Sequence, residues 1–268
     1  MPHLRHHRPL PHRAGAVAIG LAIAVAPVAA TAQDGEQPRR TRVIVGPAVT
    51  PAFPGADRYA IRPYVDLSRT RASQFDYEAP DESTSIALID SDGFSFGPAI
   101  GFEGKRRARD AGGLDEVKFS VELGGAVAYR TGNIRFLAEA RKGVSGHKAV
   151  TGMVGVDYIA RDADKWLFAI GPRVTFADNR YARRYFGVTA AEALRTGVPA
   201  FTPDGGVTMV GGTASLLRQF GDGPWGVFGF AKYDRLIGDA ADSPVVRRFG
   251  SRGQLAGGVG ISYTFGGR

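Results

Sequence analysis

The feature that most constrains this chain is a strict alternation of apolar side chains with small or polar ones. In the stretch VKFSVELGGAVAYR, residues 117–130, Val121 and Leu123 lie on one parity and Lys118 and Glu122 on the other. A period of two residues indicates a β-strand with one apolar face. The alternation alone leaves two arrangements open. Either the apolar face packs on a soluble protein core, or it contacts lipid while the other face lines a lumen.

The same alternation recurs along most of the chain, as in KWLFAIGPRVTF (165–176) and QLAGGVGISYTF (254–265). Many of these segments are close to the roughly ten residues that a tilted strand needs to cross a bilayer. Together with the charge, aromatic and loop features described below, the pattern predicts an all-β fold, a transmembrane antiparallel outer-membrane β-barrel of about twelve strands, or ten if 73–89 is a loop. The candidate strands are 42–49, 58–67, 73–78, 84–89, 93–104, 117–130, 132–142, 149–160, 165–176, 207–220, 225–236 and 254–265.

Composition excludes several classes of protein and site. The 37 glycines are concentrated inside the strand-like segments, where they let a barrel wall bend. The absence of cysteine excludes a disulfide framework, cysteine-ligated metals and a thiol nucleophile. A hydrophobic content of 44% is too high for a disordered chain. The excess of basic residues is scattered, without the basic helix that nucleic-acid binding would require.

The N-terminus has the features of an export signal. Three arginines precede the apolar run AGAVAIGLAIAVAPVAA, and Ala30-Thr31-Ala32 matches a cleavage site. The alternative is an uncleaved membrane anchor. We predict a cleaved signal peptide at 1–32, a short periplasmic segment at 33–41 and the barrel domain at 42–268, located in the outer membrane of a Gram-negative bacterium.

Charged residues within the predicted strands suggest which face is wet. They carry both signs and lie mostly opposite the apolar stripe, as expected for a polar lumen, although a soluble sandwich could place them on its solvent face. The predicted lumenal residues are Lys118, Glu122, Arg135, Glu139, Arg141, Asp157, Arg173, Lys232 and Asp234.

Aromatic residues at strand ends favour the membrane arrangement, because barrels carry aromatic girdles at both interfaces. Short turns alternate with the long polar loops 178–206 and 237–251. In outer-membrane barrels the short turns face the periplasm and the long loops face outside. Within the first long loop, TAAEALRTG (189–197) has a capping-box pattern closed by glycine and predicts a short helix. The predicted girdle residues are Tyr129, Tyr158, Trp166, Phe176, Trp225, Tyr233 and Tyr263.

Three stretches resemble the MipA/OmpV family of Gram-negative outer-membrane proteins. They are PAFPGADRYAIRPYVDL (51–67), the loop-bearing stretch 171–206, and the C-terminal stretch 228–265 with its motif GDAADSP. Together they cover most of the mature chain. The chain departs from the family at its end, since Gly266-Gly267-Arg268 follow the terminal aromatic Phe265. The matching loop residues are Asp178, Tyr181, Tyr185, Phe186, Gly187, Val188, Gly238, Asp239, Asp242, Ser243 and Pro244.

The resemblance implies a non-enzymatic barrel. One role in the family is a scaffold that brings a lytic transglycosylase together with a peptidoglycan synthase, and other members are regarded as porin-like or adhesive. Three functions therefore remain open for this chain: an envelope scaffold, a narrow pore for small solutes, or a surface adhesin. The resemblance implies neither a cofactor nor a metal.

Catalytic and ligand motifs are weak. The sequence GDGPWG (221–226) matches G-x-G-x-x-G but leads into a strand, so it predicts a hairpin turn. His147 lies near Ser145 and Glu139 in sequence, yet we expect it to be solvated rather than catalytic. Asp239 and Asp242 could bind Ca²⁺, although ion pairs with Arg247, Arg248 or Arg252 are favoured. The cluster Arg180, Arg183 and Arg184 could contact lipopolysaccharide, a partner or only solvent.

Overall fold

The period-two segments fold as one antiparallel, curled sheet in the computed structural model, which describes residues 38–72 and 74–266. The predicted signal peptide and most of the segment 33–41 lie outside these residues. The strands are β1 (Arg40–Pro51), β2 (Tyr59–Thr70), β3 (Thr84–Ser85), β4 (Ile89–Ser91), β5 (Phe94–Glu103), β6 (Ser120–Thr131), β7 (Ile134–Gly143), β8 (Val150–Asp162), β9 (Trp166–Ala177), β10 (Gly206–Gln219), β11 (Trp225–Leu236) and β12 (Gly253–Phe265).

The sheet order is β2-β1-β12-β11-β10-β9-β8-β7-β6-β5-β3, with β4 also paired to β5. The first and last strands are therefore neighbours, as the register Thr41 opposite Phe265 shows. Both short strands lie on the same flank of β5, and Leu88 N–H between them donates to Phe96 O. Within the described ranges, β2 and the β3–β4 segment form the two edges of the curled wall.

The predicted count of twelve strands is confirmed, but one predicted strand is wrong. Ten strands are long, and the remaining two are β3 and β4. Residues 74–78 form no strand. They belong to a segment, residues 74–83, that runs along the inside of the wall and that we call the lumenal segment. Its aromatic side chains alternate as in a strand because one side of the segment packs on the wall.

The outer surface of the wall is apolar. Ile61, Phe102 and Val259 expose 79%, 61% and 60% of their surface, values expected for side chains that contact lipid rather than water. Exposed aromatic residues mark both ends of the wall. Tyr129 and Trp225 lie at the end with short turns, and Tyr233 lies toward the end with long loops.

The two ends of the wall differ. The β6–β7, β8–β9 and β10–β11 connections are short turns at one end, including the predicted hairpin at 221–226. At the other end, the long connections carry helices, none of which, in the part of the chain that the structure describes, is long and apolar enough to cross a membrane. These helices are the 3₁₀ turn η1 (Ala108–Asp110), α1 (Asn179–Tyr185), α2 (Ala190–Thr196), α3 (Gly238–Asp242) and α4 (Pro244–Phe249).

Candidate functional site: a lumenal segment beneath a folded cap

The lumenal segment begins near the short-turn end, where Phe75 is anchored. Its backbone N–H donates to Asp164 at 3.3 Å, and its carbonyl accepts from Arg161 at 2.8 Å. The Arg42 guanidinium lies 4.5 Å from the centre of the Phe75 ring, a cation–π contact. Two residues further on, the Tyr77 hydroxyl lies 3.1 Å from Ser215 Oγ on β10. The segment is thus fixed to inward-facing side chains of strands on several sides of the lumen.

Further along the segment, two adjacent carboxylates meet the cations of the wall. Asp81 accepts from Nε and Nη2 of Arg173 at 3.2 and 3.3 Å and lies 3.3 Å from Lys232 Nζ. Glu82 accepts from both terminal nitrogens of Arg135, with 2.9 Å for the Nη2 bond. Each arginine therefore binds one carboxylate in a fork, the strongest geometry available to such a pair. Asp81 and Glu82 join β7, β9 and β11 through the lumen.

Carboxylates of the wall complete this charge cluster. Asp157 lies 2.8 Å from Arg173 Nη2 and 3.7 Å from Arg135 Nη1, and Asp234 lies 3.1 Å from Lys232 Nζ. The Arg173 and Asp157 side chains are fully buried. A cavity beside Glu82 and Arg135 measures only about 20 Å³, which is about one water molecule. The lumen at this level is filled by paired charges.

Glycines make room for two of the inward guanidinium groups, the buried Arg173 and the half-buried Arg141. A Cβ added at Gly155 would lie 2.7 Å from Arg173 Nη1, and one at Gly101 would lie 2.7 Å from Arg141 Nε. A larger residue at either position would displace a charge that is already bonded to a carboxylate. The inward glycines therefore leave space for guanidinium groups in addition to allowing the sheet to curve.

An apolar layer lies toward the short-turn end of the lumen. The ring of Tyr64 stacks on Phe228 at 5.3 Å and lies at the same distance from Phe230. Ile44, Tyr77, Ile159, Leu167 and Leu217 are buried in the same cluster. The lumenal segment thus contributes to an apolar contact as well as to the charge cluster.

His147 is buried, so the expectation that it would be solvated is wrong. Its Nε2 lies 2.8 Å from Glu122 Oε1, and its Nδ1 accepts from Ala149 N–H at 3.0 Å. Glu122 Oε2 also accepts from Arg141 Nε at 2.8 Å, and Arg141 is paired with Glu139. Both imidazole nitrogens are occupied by structural bonds, and Ser145 Oγ instead accepts from the backbone of Val121. The geometry describes a buried joint between the β7–β8 loop and β6.

At the long-loop end, the loops fold together into a compact cap with an apolar core. Its buried residues come from all five connections at this end of the wall and from the strand ends beside them. The Tyr185 hydroxyl donates to Gly104 O at 3.1 Å, and the rings of Tyr181 and His147 meet edge to face at 5.2 Å. The cap therefore packs directly on the buried histidine. Core members are Phe53, Val117, Ala149, Tyr181, Tyr185, Phe186, Ala240 and Val246.

The two motif-bearing loops of the sequence are joined inside the cap. Ser243 Oγ donates to Phe186 O at 2.6 Å and accepts from Val245 N–H at 3.1 Å, which caps α4 just before Pro244. Asp178 caps α1 by accepting from Tyr181 N–H at 2.8 Å and also accepts from Val150 N–H. These polar residues serve as helix caps and loop joints.

Three glycine and aspartate positions of the same motifs shape the loops. Gly238 has a φ of +54°, a left-handed conformation suited to glycine. A Cβ at Gly187 would lie 2.5 Å from Arg183 O, so the close approach after α1 needs glycine there. Asp239 accepts from Asp204 N–H at 2.9 Å, which ties the α3 loop to the loop that precedes β10.

The predicted helix at 189–197 is present as α2, and its cap is complete. Thr189 accepts from Glu192 N–H, Glu192 accepts from Thr189 N–H, and Gly197 ends the helix with a φ of +71°. Burial alone would raise the pKa of Glu192, but N–H donors of Thr189 and Asp115 hold that pKa below its ordinary value. Burial raises the pKa of the Tyr181 phenol well above its usual range.

The remaining predicted residues are placed as follows. Lys118 precedes β6 and is exposed, so it stands apart from the other lumenal candidates. Asp242 pairs with Arg247 at 2.9 Å and Arg252 at 3.1 Å, while Arg248 donates to Gly197 O instead. Over residues 38–72 and 74–266, no group of three or more acidic or histidine side chains is arranged to hold a metal ion.

The lumenal segment was not predicted from the sequence. The alternating Phe75 and Tyr77 predict a strand at 73–78, and no pattern in the sequence gives Asp81 and Glu82 a role. The available signal was the density of acidic residues in FDYEAPDE (75–82). A run of carboxylates beside an inner wall that contains arginine is a candidate for a lumenal insertion.

A curled antiparallel wall with a lipid-facing apolar surface, aromatic girdles and charged side chains inside defines an outer-membrane β-barrel. The family model described as "MltA-interacting protein MipA" matches residues 43–265, and the chain belongs to this family. The resemblance seen in the sequence is thereby confirmed.

Among solved structures, one match is a porin refined at 1.8 Å resolution. It is 10% identical in sequence and covers 85% of this chain and 99% of that one, with a TM-score of 0.32. No curated protein matches the chain significantly.

Proposed function

We propose that this protein is a non-enzymatic scaffold of the outer membrane, whose barrel is closed to solutes and which acts through its surfaces. The observation that carries the proposal is the lumenal segment, since Asp81 and Glu82 bind Arg173, Arg135 and Lys232 across the lumen. A transport pathway would need mobile or water-exposed charges at this level. Here the charges are paired with one another.

The partners of the scaffold would be a lytic transglycosylase, the class to which MltA in the family name belongs, and a peptidoglycan synthase. Both act on the cell wall, so they would meet the short-turn end of the barrel and the segment that precedes β1. An adhesin would instead act through the cap. The two ends of the barrel therefore separate these functions.

The first test measures conductance and binding on the same refolded protein. In a planar bilayer we expect the wild-type barrel to be silent, and on a matrix we expect it to retain a purified lytic transglycosylase. Deletion of 178–206 should leave this binding intact, because the partner meets the opposite end. Discrete conductance steps in the wild-type protein, or the absence of binding to either enzyme, would contradict the proposal.

We also propose lipopolysaccharide as the lipid partner of the cap. Arg180, Arg183 and Arg184 project from one face of α1 and are exposed, and Arg180 donates to Lys148 O, which brings a further exposed cation close. Phosphate groups bind such clusters as long as salt does not screen them. Changing the three arginines to glutamine should lower the amount of lipopolysaccharide that copurifies, whereas changing the exposed Lys165 in the short β8–β9 turn at the opposite end should not.

A further inference from the structure

The charge cluster of the lumen has the form of a binding site that the chain itself occupies. Two forked arginines, Arg135 and Arg173, face two carboxylates that are adjacent in sequence, and Lys232 adds a third cation. The guanidinium of Arg173 is fully buried, and that of Arg135 is 9% exposed. Fork geometry is selective for planar, two-oxygen anions. The cluster is thus built for a pair of carboxylates at a fixed spacing.

Asp81 and Glu82 belong to a connection and not to a strand. The wall residues that face them are set by strand registers, whereas the carboxylates are held by their ion pairs and by the Ser83 N–H bond to Glu139 at 3.1 Å. Removal of the segment without replacement would leave three buried cations short of partners, which is strongly unfavourable. A molecule that supplied equivalent carboxylates would give these cations new partners, and the segment could then leave the cluster without that cost.

We propose that Arg135, Arg173 and Lys232 form a binding site for an acidic peptide with two adjacent carboxylates, and that Asp81 and Glu82 occupy this site in the closed barrel. A competing peptide would enter from the short-turn end, where the lumenal segment also enters. Its binding would favour the state in which the segment has left the cluster, because it binds only that state. The proposal goes beyond the scaffold function and does not depend on it.

The test compares two variants with the same loss of charge. Asp81→Asn with Glu82→Gln removes both charges that hold the segment in the cluster. The control, Asp76→Asn with Asp92→Asn, removes two exposed carboxylates that lie outside the cluster. Both are titrated by calorimetry with the blocked dipeptide acetyl-Asp-Glu-amide. We expect at least tenfold tighter binding by the first variant than by wild type and no gain in the control.

Specificity is checked with acetyl-Asn-Gln-amide, which has the same shape without the charges and should not bind. Equal affinity of both variants for the acidic probe, or equal binding of the neutral probe, would overturn the proposal. If the first variant does not refold, the acidic probe is added to the wild-type barrel and hydrogen exchange of residues 74–83 is followed. Exchange must then accelerate with the acidic probe alone, and unchanged exchange overturns the proposal as well.

Discussion

In the lumen, Asp81 and Glu82 are held by Arg173 and Arg135 through charged bonds, whereas the cap encloses aromatic and aliphatic side chains such as Tyr185. Both regions are buried, yet their chemistry is opposite. The inner face of a barrel must alternate with a lipid-facing apolar face, so its strands supply polar groups to the lumen. The cap lies beyond the wall and can build an apolar core as a small soluble domain does.

This difference in chemistry predicts how substitutions destabilise the lumen and the cap. If a neutral residue replaces one partner of a lumenal ion pair, the other partner is left as a buried, unpaired charge, which is strongly unfavourable. The cap loses stability in proportion to lost packing. Damage to the lumen should therefore affect the whole barrel, whereas damage to the cap should stay local.

The largest effect is expected for Arg173→Met, which leaves both Asp81 and Asp157 without their main partner. Removing one member of a buried pair costs about 3–5 kcal/mol. Urea unfolding in detergent, followed by the heat-modifiable mobility of the barrel, measures the loss. The control is Arg235→Met on the exposed side of β11, and a loss of the same size there would contradict the lumenal role.

In the cap, Tyr185→Ala removes a fully buried ring and its bond to Gly104 O. The local loss should be about 3–5 kcal/mol, typical of a large aromatic core residue. Limited proteolysis should cut 178–206 faster while the barrel keeps its heat-modifiable mobility. Leu194→Ala, at a side chain that is 90% exposed, is the control. Global unfolding of the Tyr185 variant would contradict the prediction that damage to the cap stays local.

A smaller effect is expected for Ser243→Ala, which removes the bond to Phe186 O and the cap of α4. The loss of a buried hydrogen bond and a helix cap amounts to about 1–2 kcal/mol. Proteolysis of both loops should accelerate together, because this hydroxyl joins them. Thr202→Ala, in an exposed part of the same cap, should change neither rate.

The smallest effect concerns pH and Glu192. Its folded pKa lies below the ordinary value of 4.5 because backbone N–H groups of Thr189 and Asp115 bind the carboxylate. The ionised form thus stabilises the cap above pH 4.5, and this contribution is lost as the pH falls through the folded pKa. An NMR titration of the Thr189 amide should show a midpoint below 4.5, and Glu192→Gln should remove it. A midpoint at or above 4.5 would contradict the assignment.

The wall could be predicted from the sequence because each strand carries its own period-two pattern. Helix α2 was equally accessible, since its capping box and terminal glycine lie within nine residues, Thr189 to Gly197. Both signals are local. The sequence of each strand specifies that strand locally, and neighbouring strands then pair to form the wall.

The lumenal segment and His147 could not be predicted in the same way, because their partners are distant in sequence. Asp81 meets Arg173, 92 positions away, and His147 meets Glu122, 25 positions away on β6. The alternation of Phe75 and Tyr77 is the same whether the opposing surface is lipid or the inside of a wall. Only the three-dimensional structure shows whether these side chains face lipid or the inside of the wall.

The pairing of β1 with β12 has a consequence for biogenesis. It joins Thr41 to Phe265, so the first strand cannot complete its backbone hydrogen bonds until the last strand has been synthesised. Contacts between such distant parts of a chain form late and slowly, because they close the largest loop. The exported chain must therefore be kept from aggregating until its C-terminus arrives.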